Sequence, residues 1–524
     1  MLKRAILTFS VILSMLVYCE TSVFAANENE VIQEQTKLSK QLKDADLDSL
    51  IYFSEFDFYY DNKLYYNTEM SKLIEDLSTA ESHFKKSNVA VSYHEYKSIL
   101  KTMKPNDFYY MLLAYRLSQI GFFSLSHEAM SKVEDREIWQ PHTTAIRNYC
   151  FPKVPIKIPE EVFFAELLAD IVYNNMTDES LKKLEKSEKV LLNSDYASYI
   201  RSKAYFTEKK YKKALNEINK ALEQNPNNVN FLKFKAEILG VLNKNSEAIK
   251  TINLINKDEV LFVETHKNIE KIKSYTLSSS SKKEEEKKYN LAYYFYLNKD
   301  YQRAINELNA LILKGETSKS PELLGYIYKI NEKFEDAEKL YDKYIAKNKK
   351  NSFAHKGKGD ILLKAGKYKN ALEEYKSAYK YNKNDIETLI ALTVTSYKTG
   401  DLESSLKYLK KAQKKDMNNF KVLYLSSKLT QDTGKQYLKQ SLQYNPFYPE
   451  GWLDLAESAL NTNDTDSAEA YINTAAFITK DSPRYFYYKS ILNLQKGQIK
   501  TAEEDIHQAK ILTIKKEQQL HEEI

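Results

Sequence analysis

The chain has 524 residues but only 11 glycines and 10 prolines, roughly 2 % each, where ordinary usage is about 7 % and 5 %, so few turns should need positive φ and few helices should be broken. Lys and Arg (78) nearly balance Asp and Glu (72), leaving a net +6, and the two signs are interspersed. That is the pattern of solvated helical faces, and it excludes the basic block or stripe of a nucleic-acid binder.

Residues 1–25 read as a signal peptide. Lys3 and Arg4 form a charged start, Ala5 to Tyr18 is apolar but short for a membrane span, and Val23-Phe24-Ala25 is an A-x-A-like cleavage site. The expected location is therefore outside the cytoplasm, periplasmic or secreted. Leu16-Val17-Tyr18-Cys19 resembles a lipobox, but Tyr18 is bulky where a small residue is wanted, so a lipoprotein anchored at Cys19 is the minor alternative. No later stretch is apolar enough to span a bilayer. With cleavage after Ala25, Cys150 is the one cysteine left; it has no disulfide partner in the chain and reads as a small buried hydrophobe.

Residues 26–150 form a divergent helical N-terminal region. Residues 26–45 are polar, a tail or a frayed helix. The aromatic run at 49–66, SLIYFSEFDFYYDNKLYY, alternates enough for a strand, but its surroundings and its scarcity of Val and Ile favour helix. Residues 106–135 predict a helix, a turn near Gly121 and a second helix. Residues 151–161 carry three prolines and are expected as an extended linker. A first block of helix pairs follows at 162–275. Residues 276–286, with Ser278 to Ser281 and then Lys-Lys-Glu-Glu-Glu, read as a low-complexity joint. A second block runs over 287–516, and 517–524 is a tail.

Residues 352–385 show the unit most clearly. Two amphipathic helices flank a turn at Gly366, Gly359 sits where the first helix presses on the second, and Tyr368, Ala371, Tyr375 and Ala378 share one face. Neither helix can bury its apolar face alone. Small residues recur at matching places: Ala214, Ala248, Ala304, Ala337, Ala371, Ser405, Ala468 and Ala502, spaced 34, 56, 33, 34, 34, 63 and 34. The 56 is one unit with an insertion of 22, and the 63 is two units less 5, a shortened repeat near 420–448.

A 34-residue helix-turn-helix period resembles the tetratricopeptide repeat (TPR) family. Residues 195–228 carry the pattern with Tyr205, Ala214, Ile218, Ala221 and Pro226, 318–351 with Leu324, Gly325, Tyr328, Phe334, Ala337 and Tyr341, and 449–482 with Trp452, Leu455, Ala456, Ala468, Ile472 and Ala475. Ser405, Asn493 and Tyr344 depart from it, and their repeats are expected to pack less regularly. The resemblance implies an all-α fold, a right-handed α-solenoid of stacked TPR helix pairs whose first helices line a concave groove.

Transferring the groove-facing places of that family gives Tyr196, Tyr199, Lys203 and Phe206 in one repeat, Tyr289, Tyr293 and Tyr296 after the joint, then Tyr326 and Lys329, then Lys356 and Asp360. The alternative is that the tyrosines are packing residues. Lys356 fits one place of a carboxylate clamp, but Asp360 stands where Asn is wanted and would repel a carboxylate. No H-E-x-x-H, Cys cluster, phosphate loop or G-x-S-x-G elbow occurs. No catalytic, metal or cofactor site is therefore expected, and no nucleic-acid partner. The reading is a non-enzymatic scaffold or adaptor of the cell envelope that binds protein or peptide segments, including peripheral association with an envelope complex. The alternatives are a periplasmic chaperone or secretion accessory and, behind it, a regulatory subunit or an enzyme with a site in the N-terminal region.

Overall fold

The computed structural model describes residues 28–42, 45–52, 68–187, 189–255, 263–315, 319–430, 433–479 and 482–522. The signal peptide, Cys19 and most of the aromatic run at 53–66 lie outside them. The described residues form 28 helices and no strand. Twenty-four of the helices pair into twelve hairpins, from 68–102 to 483–522. Four stand between or before hairpins: Glu28–Gln41, Ala45–Tyr52, Arg136–Cys150 and Val263–Ser280.

Most of the hairpins are held by the same device. A small residue on the first helix faces a small residue twelve positions later on the second, and both are buried: Ala80 with Ser92, Ala114 with Ser126, Ala236 with Ala248, Ala292 with Ala304, Ala456 with Ala468. Small pairs let the helix axes approach closely, and larger neighbours fill the flanks. Where one member is a serine its hydroxyl donates to the carbonyl opposite, as in Ser92 to Ala80 (2.7 Å), Ser405 to Thr393 (2.8 Å) and Ser490 to Ala502 (2.7 Å). Ser405 is thus no irregularity, because its polar atom is satisfied without widening the contact. Asn493 bonds Asp505 at 2.6 Å, and the Tyr344 ring packs edge-on to Phe353 at 5.5 Å.

In eleven of the twelve hairpins the backbone turns left-handed five residues before a small residue of the second helix. These turn residues are Ser87, Gly121, Asn175, Lys209, Asn243, Lys299, Glu332, Gly366, Gly400, Asn463 and Gly497. The expectation that few turns need positive φ is therefore corrected. The chain meets the requirement mostly without glycine, at an order of 1 kcal/mol per site that hairpin packing offsets. The register also reaches into the N-terminal region, where Ser87 and Gly121 precede buried Ser92 and Ser126, and at the start of the first block Asn175 precedes buried Ser180.

The linker ends at Lys157, since the helix Ile158–Tyr173 takes Pro159 into its first turn. Ser278–Ser280 close the helix Val263–Ser280, and 281–283 turn into Glu284–Leu297. Cys150 is buried, which pushes its thiol up to about 11.

The chain closes on itself. One buried apolar cluster joins residues 47–269 to 363–492, while 292–327 and 334–361 hold two smaller clusters between them. Helix Glu28–Gln41 lies along the last hairpin, packing Val31, Leu38 and Leu42 on Ala502, Ile506 and Ala509, with Gln35 bonded to Ser490. Asn106 caps the helix Asp107–Ile120 and donates to the Ala470 carbonyl at 2.9 Å. Helix Arg136–Cys150 packs on Gly434–Tyr444, with His142 Nε2 donating to the Gln443 carbonyl at 2.8 Å.

Candidate functional site

The face where a partner is expected is built from the first helices of successive hairpins. Three different surfaces result.

In the first block Tyr196 is buried, its ring 5.2 Å from Phe123 and 5.3 Å from Phe164. Tyr199 packs between the tilted rings of Tyr196 and Phe231, and Lys203 Nζ sits 3.6 Å over the Phe234 ring. Phe206 packs on Tyr211 and Phe234. Burial raises the Tyr199 hydroxyl far above the ordinary tyrosine value. This quartet is mainly the glue between neighbouring hairpins, the packing role left open by its sequence pattern.

After the inserted helix, Tyr289, Tyr293 and Tyr296 line one face of Glu284–Leu297. Their rings run near-parallel, 6.4 Å and then 5.7 Å apart, and Tyr326 of the next hairpin meets Tyr296 edge-on at 5.9 Å. Tyr296 belongs to the core, whereas Tyr289, Tyr293 and Tyr326 are half-buried. Ring stacking at helical spacing presents a stiff apolar strip with hydroxyls along it.

Further along, the face is ionic. Asp360 is 1 % exposed and accepts from Lys329, from Lys356 at 3.2 Å and from the Tyr375 hydroxyl at 2.9 Å. Burial alone would raise its carboxyl, but Lys329 and Lys356 outweigh that and hold it below the usual carboxylate range. For Lys356 burial pulls downward, and Asp360, Glu387 and Asp385 carry it above the ordinary lysine value. The series continues with Lys421 to Glu387 at 2.8 Å, and with Arg484 bridging Glu450 and Asp454. Asp454 also takes the Tyr424 hydroxyl at 2.8 Å and Lys428 at 2.8 Å. Lys329, Lys356 and Asp360 therefore serve one another across repeats, and the face neutralises its own charge.

Sequence reasoning missed Glu387, Lys421, Glu450, Asp454 and Arg484. A signal existed, because Glu387 and Lys421, like Glu450 and Arg484, are opposite charges 34 residues apart. It also missed that part of the face is covered. Helix Ala45–Tyr52 lies against Ser352–Lys364 and Ile386–Lys398, with Leu47 and Leu50 buried and Ser49 3.1 Å from the Tyr448 hydroxyl. Among the described residues no group of three His, Cys, Asp or Glu side chains converges as a metal site, and no helix is long and apolar enough to cross a membrane.

Profiles of the tetratricopeptide repeat match residues 196–228, 323–385, 362–429 and 432–490. A TPR repeat-containing protein of Methanocaldococcus jannaschii is 24 % identical over 378 residues, which cover 67 % of this chain and 59 % of the relative. This chain thus spans well under two thirds of that relative's length. Among solved structures, a chain of the APC/C hetero-tetramer Cut9–Hcn1 aligns at 12 % identity over 84 % of this chain and 94 % of its own, with a TM-score of 0.36. A thermophilic TPR protein of Thermus thermophilus aligns at 22 % identity over 34 % of this chain and 99 % of its own, with a TM-score of 0.30.

Proposed function

The chain is a tetratricopeptide repeat protein, and we propose that it serves as an exported, non-enzymatic scaffold of the cell envelope that holds protein or peptide segments on its concave face. The observation that carries the binding part is the seating of helix Ala45–Tyr52. The first-helix face takes a short amphipathic helix by burying two leucines and adding one hydroxyl contact, which is the helix-in-groove mode of recognition. The half-buried strip of Tyr289, Tyr293 and Tyr326 offers the same kind of surface one to two hairpins away. Rigid aromatic area with a polar tip is the usual currency of such contacts. The export part rests on the charged start, apolar stretch and cleavage site of residues 1–25.

The test is crosslinking in intact cells, followed by identification of the attached proteins. Tyr293→Ala with Tyr326→Ala should abolish attachment at the strip while helicity and melting are retained. Tyr296 is left in place because it is core. Undiminished attachment would overturn the binding surface, and a purely cytoplasmic full-length chain on fractionation would overturn the export reading.

A further inference from the structure

Away from the concave face, the closure of the chain encloses a cleft of about 770 Å³ between the hairpins 68–131 and the hairpin 449–478. That size lies within the range of about 300–1,000 Å³ usual for ligand sites, which favour such junctions. Its floor is aromatic. Trp139 and Trp452 stack at 5.9 Å with their planes 16° apart, Tyr471 stacks on Trp452 at 5.9 Å, and Phe108 meets both indoles edge-on. Tyr109 and Tyr471 are half-buried and form the part that an entering group reaches first.

The lining is acidic. Asp76, Asp107, Glu134, Asp135, Asp466 and Glu469 line it together with Lys72, Lys104 and Lys132. Three of these carboxylates are occupied. Asp107 accepts the backbone N–H groups of Glu134 and Asp135 at 3.0 and 2.7 Å, Asp135 pairs with Lys439 at 2.9 Å, and Glu469 with Lys496 at 2.9 Å. Asp76, Glu134 and Asp466 have no ion pair among the described residues, unlike the self-neutralised charges of the concave face. A second observation is independent of charge. Trp139 is 1 % exposed and lines the cleft, yet its indole N–H has no acceptor among the described residues. A buried donor left open costs about 1–3 kcal/mol, and a carbonyl in the cleft would remove that cost.

The geometry points to a second binding site here, for a cationic peptide segment of another protein, one that presents a Lys or Arg side chain to the cleft. Ring faces attract a cation through their quadrupole, and the open carboxylates reinforce that attraction. The peptide backbone supplies the carbonyl that the Trp139 N–H lacks. An anionic segment meets a lining of six carboxylates against three lysines, and a purely apolar one leaves three carboxylates to be desolvated unpaired. This site is independent of the strip at Tyr293.

The two tryptophans of the chain are Trp139 and Trp452, so intrinsic tryptophan emission reports on this cleft alone. Titrating the mature chain with tri-arginine amide should give a saturable emission change, and tri-glutamate or equivalent salt should not. Glu134 and Asp466 are exposed, so Glu134→Lys with Asp466→Lys should weaken the midpoint at least tenfold at unchanged melting. Glu134→Gln with Asp466→Asn, which keeps the side-chain shapes, should weaken it by a smaller factor. Tyr293→Ala with Tyr326→Ala should leave it unaltered. Absence of a saturable change, an equal response to tri-glutamate, or an unchanged midpoint in both charge variants would overturn the assignment.

Discussion

Gly357→Ala is the sharpest test of how the repeats fit together. Gly357 lies mid-helix in Ser352–Lys364, where replacing glycine by alanine ordinarily stabilises by about 0.5–1 kcal/mol. Here an added Cβ would lie 2.2 Å from Cζ of Tyr341 and 2.5 Å from two further ring atoms. Ordinary contact needs about 3.5–4 Å, so the ring must retreat by more than an ångström. It has little room, because Gly325 of the preceding first helix flanks the same side chain and a Cβ there would meet its hydroxyl at 2.6 Å. Tyr341 is fully buried between the two glycines, and overpacking of this kind costs about 1–3 kcal/mol or more. The net expectation is a loss of about 2 kcal/mol. It should be read by hydrogen exchange in helices Lys319–Ile330 and Ser352–Lys364, since unfolding of a repeat chain is not a single global event. In a Tyr341→Leu background the same substitution should become neutral or stabilising, and the cycle isolates the clash. Gly366→Ala should lose about 1 kcal/mol with no coupling to Tyr341, because its φ is +67° and nothing lies within 4 Å of the added carbon. If Gly357→Ala stabilises the chain with Tyr341 in place, the slot reasoning is refuted.

Three further outcomes follow from buried polar groups. Burial lifts the Glu161 carboxyl to about 7 against the N–H and hydroxyl of Ser124. The folded chain then holds a proton that the unfolded chain releases, so stability should fall as pH rises from about 4.5 to 7, by up to about 3 kcal/mol; Glu161→Gln should flatten that part of a stability-versus-pH profile. Burial lowers His142 to about 4, so stability should be lost as pH falls from about 6.5 to 4, with exchange rising first in Arg136–Cys150 and Gly434–Tyr444; a His142→Gln chain that keeps the full acid loss would contradict this. Arg484→Met leaves Glu450 and Asp454 without their shared guanidinium and should cost about 3 kcal/mol in urea unfolding, with part restored by adding Glu450→Gln; a change below about 0.5 kcal/mol would show the bridge to be idle.

The hairpin unit was legible because it is local. Gly359, Ala371 and their equivalents sit where two helices must touch, and the Gly359 Cβ position lies 2.7 Å from the Tyr375 ring, as the spacing implied. The same register ran unread through Ser92, Ser126 and Ser180, since serine replaces alanine there. Ser92 and Ser126 fit because their hydroxyls find the Ala80 and Ala114 carbonyls across the contact, whereas the buried Ser180 hydroxyl has no partner among the described residues, and those bonds are visible only in three dimensions. The groove positions were legible as places but not as roles. Asp360 is satisfied by Lys329 from the hairpin before it and by Tyr375 from its own second helix, and one-dimensional spacing does not say which way those side chains reach.

The closure was not legible at all. A 34-residue period determines how each hairpin meets the next, because those contacts repeat at a fixed separation along the chain. Trp139 stacking on Trp452, Asn106 bonding Ala470, and helix Ala45–Tyr52 lying across Ser352–Lys364 join residues some 300 to 370 positions apart. Where those partners meet depends on small rotations accumulated over many hairpins, to which no single residue testifies. The sequence by itself determined a stack of helix pairs and its register. Only the tertiary structure decided that the stack returns on itself, covers part of its first-helix face and forms an acidic, aromatic cleft between hairpins far apart in sequence.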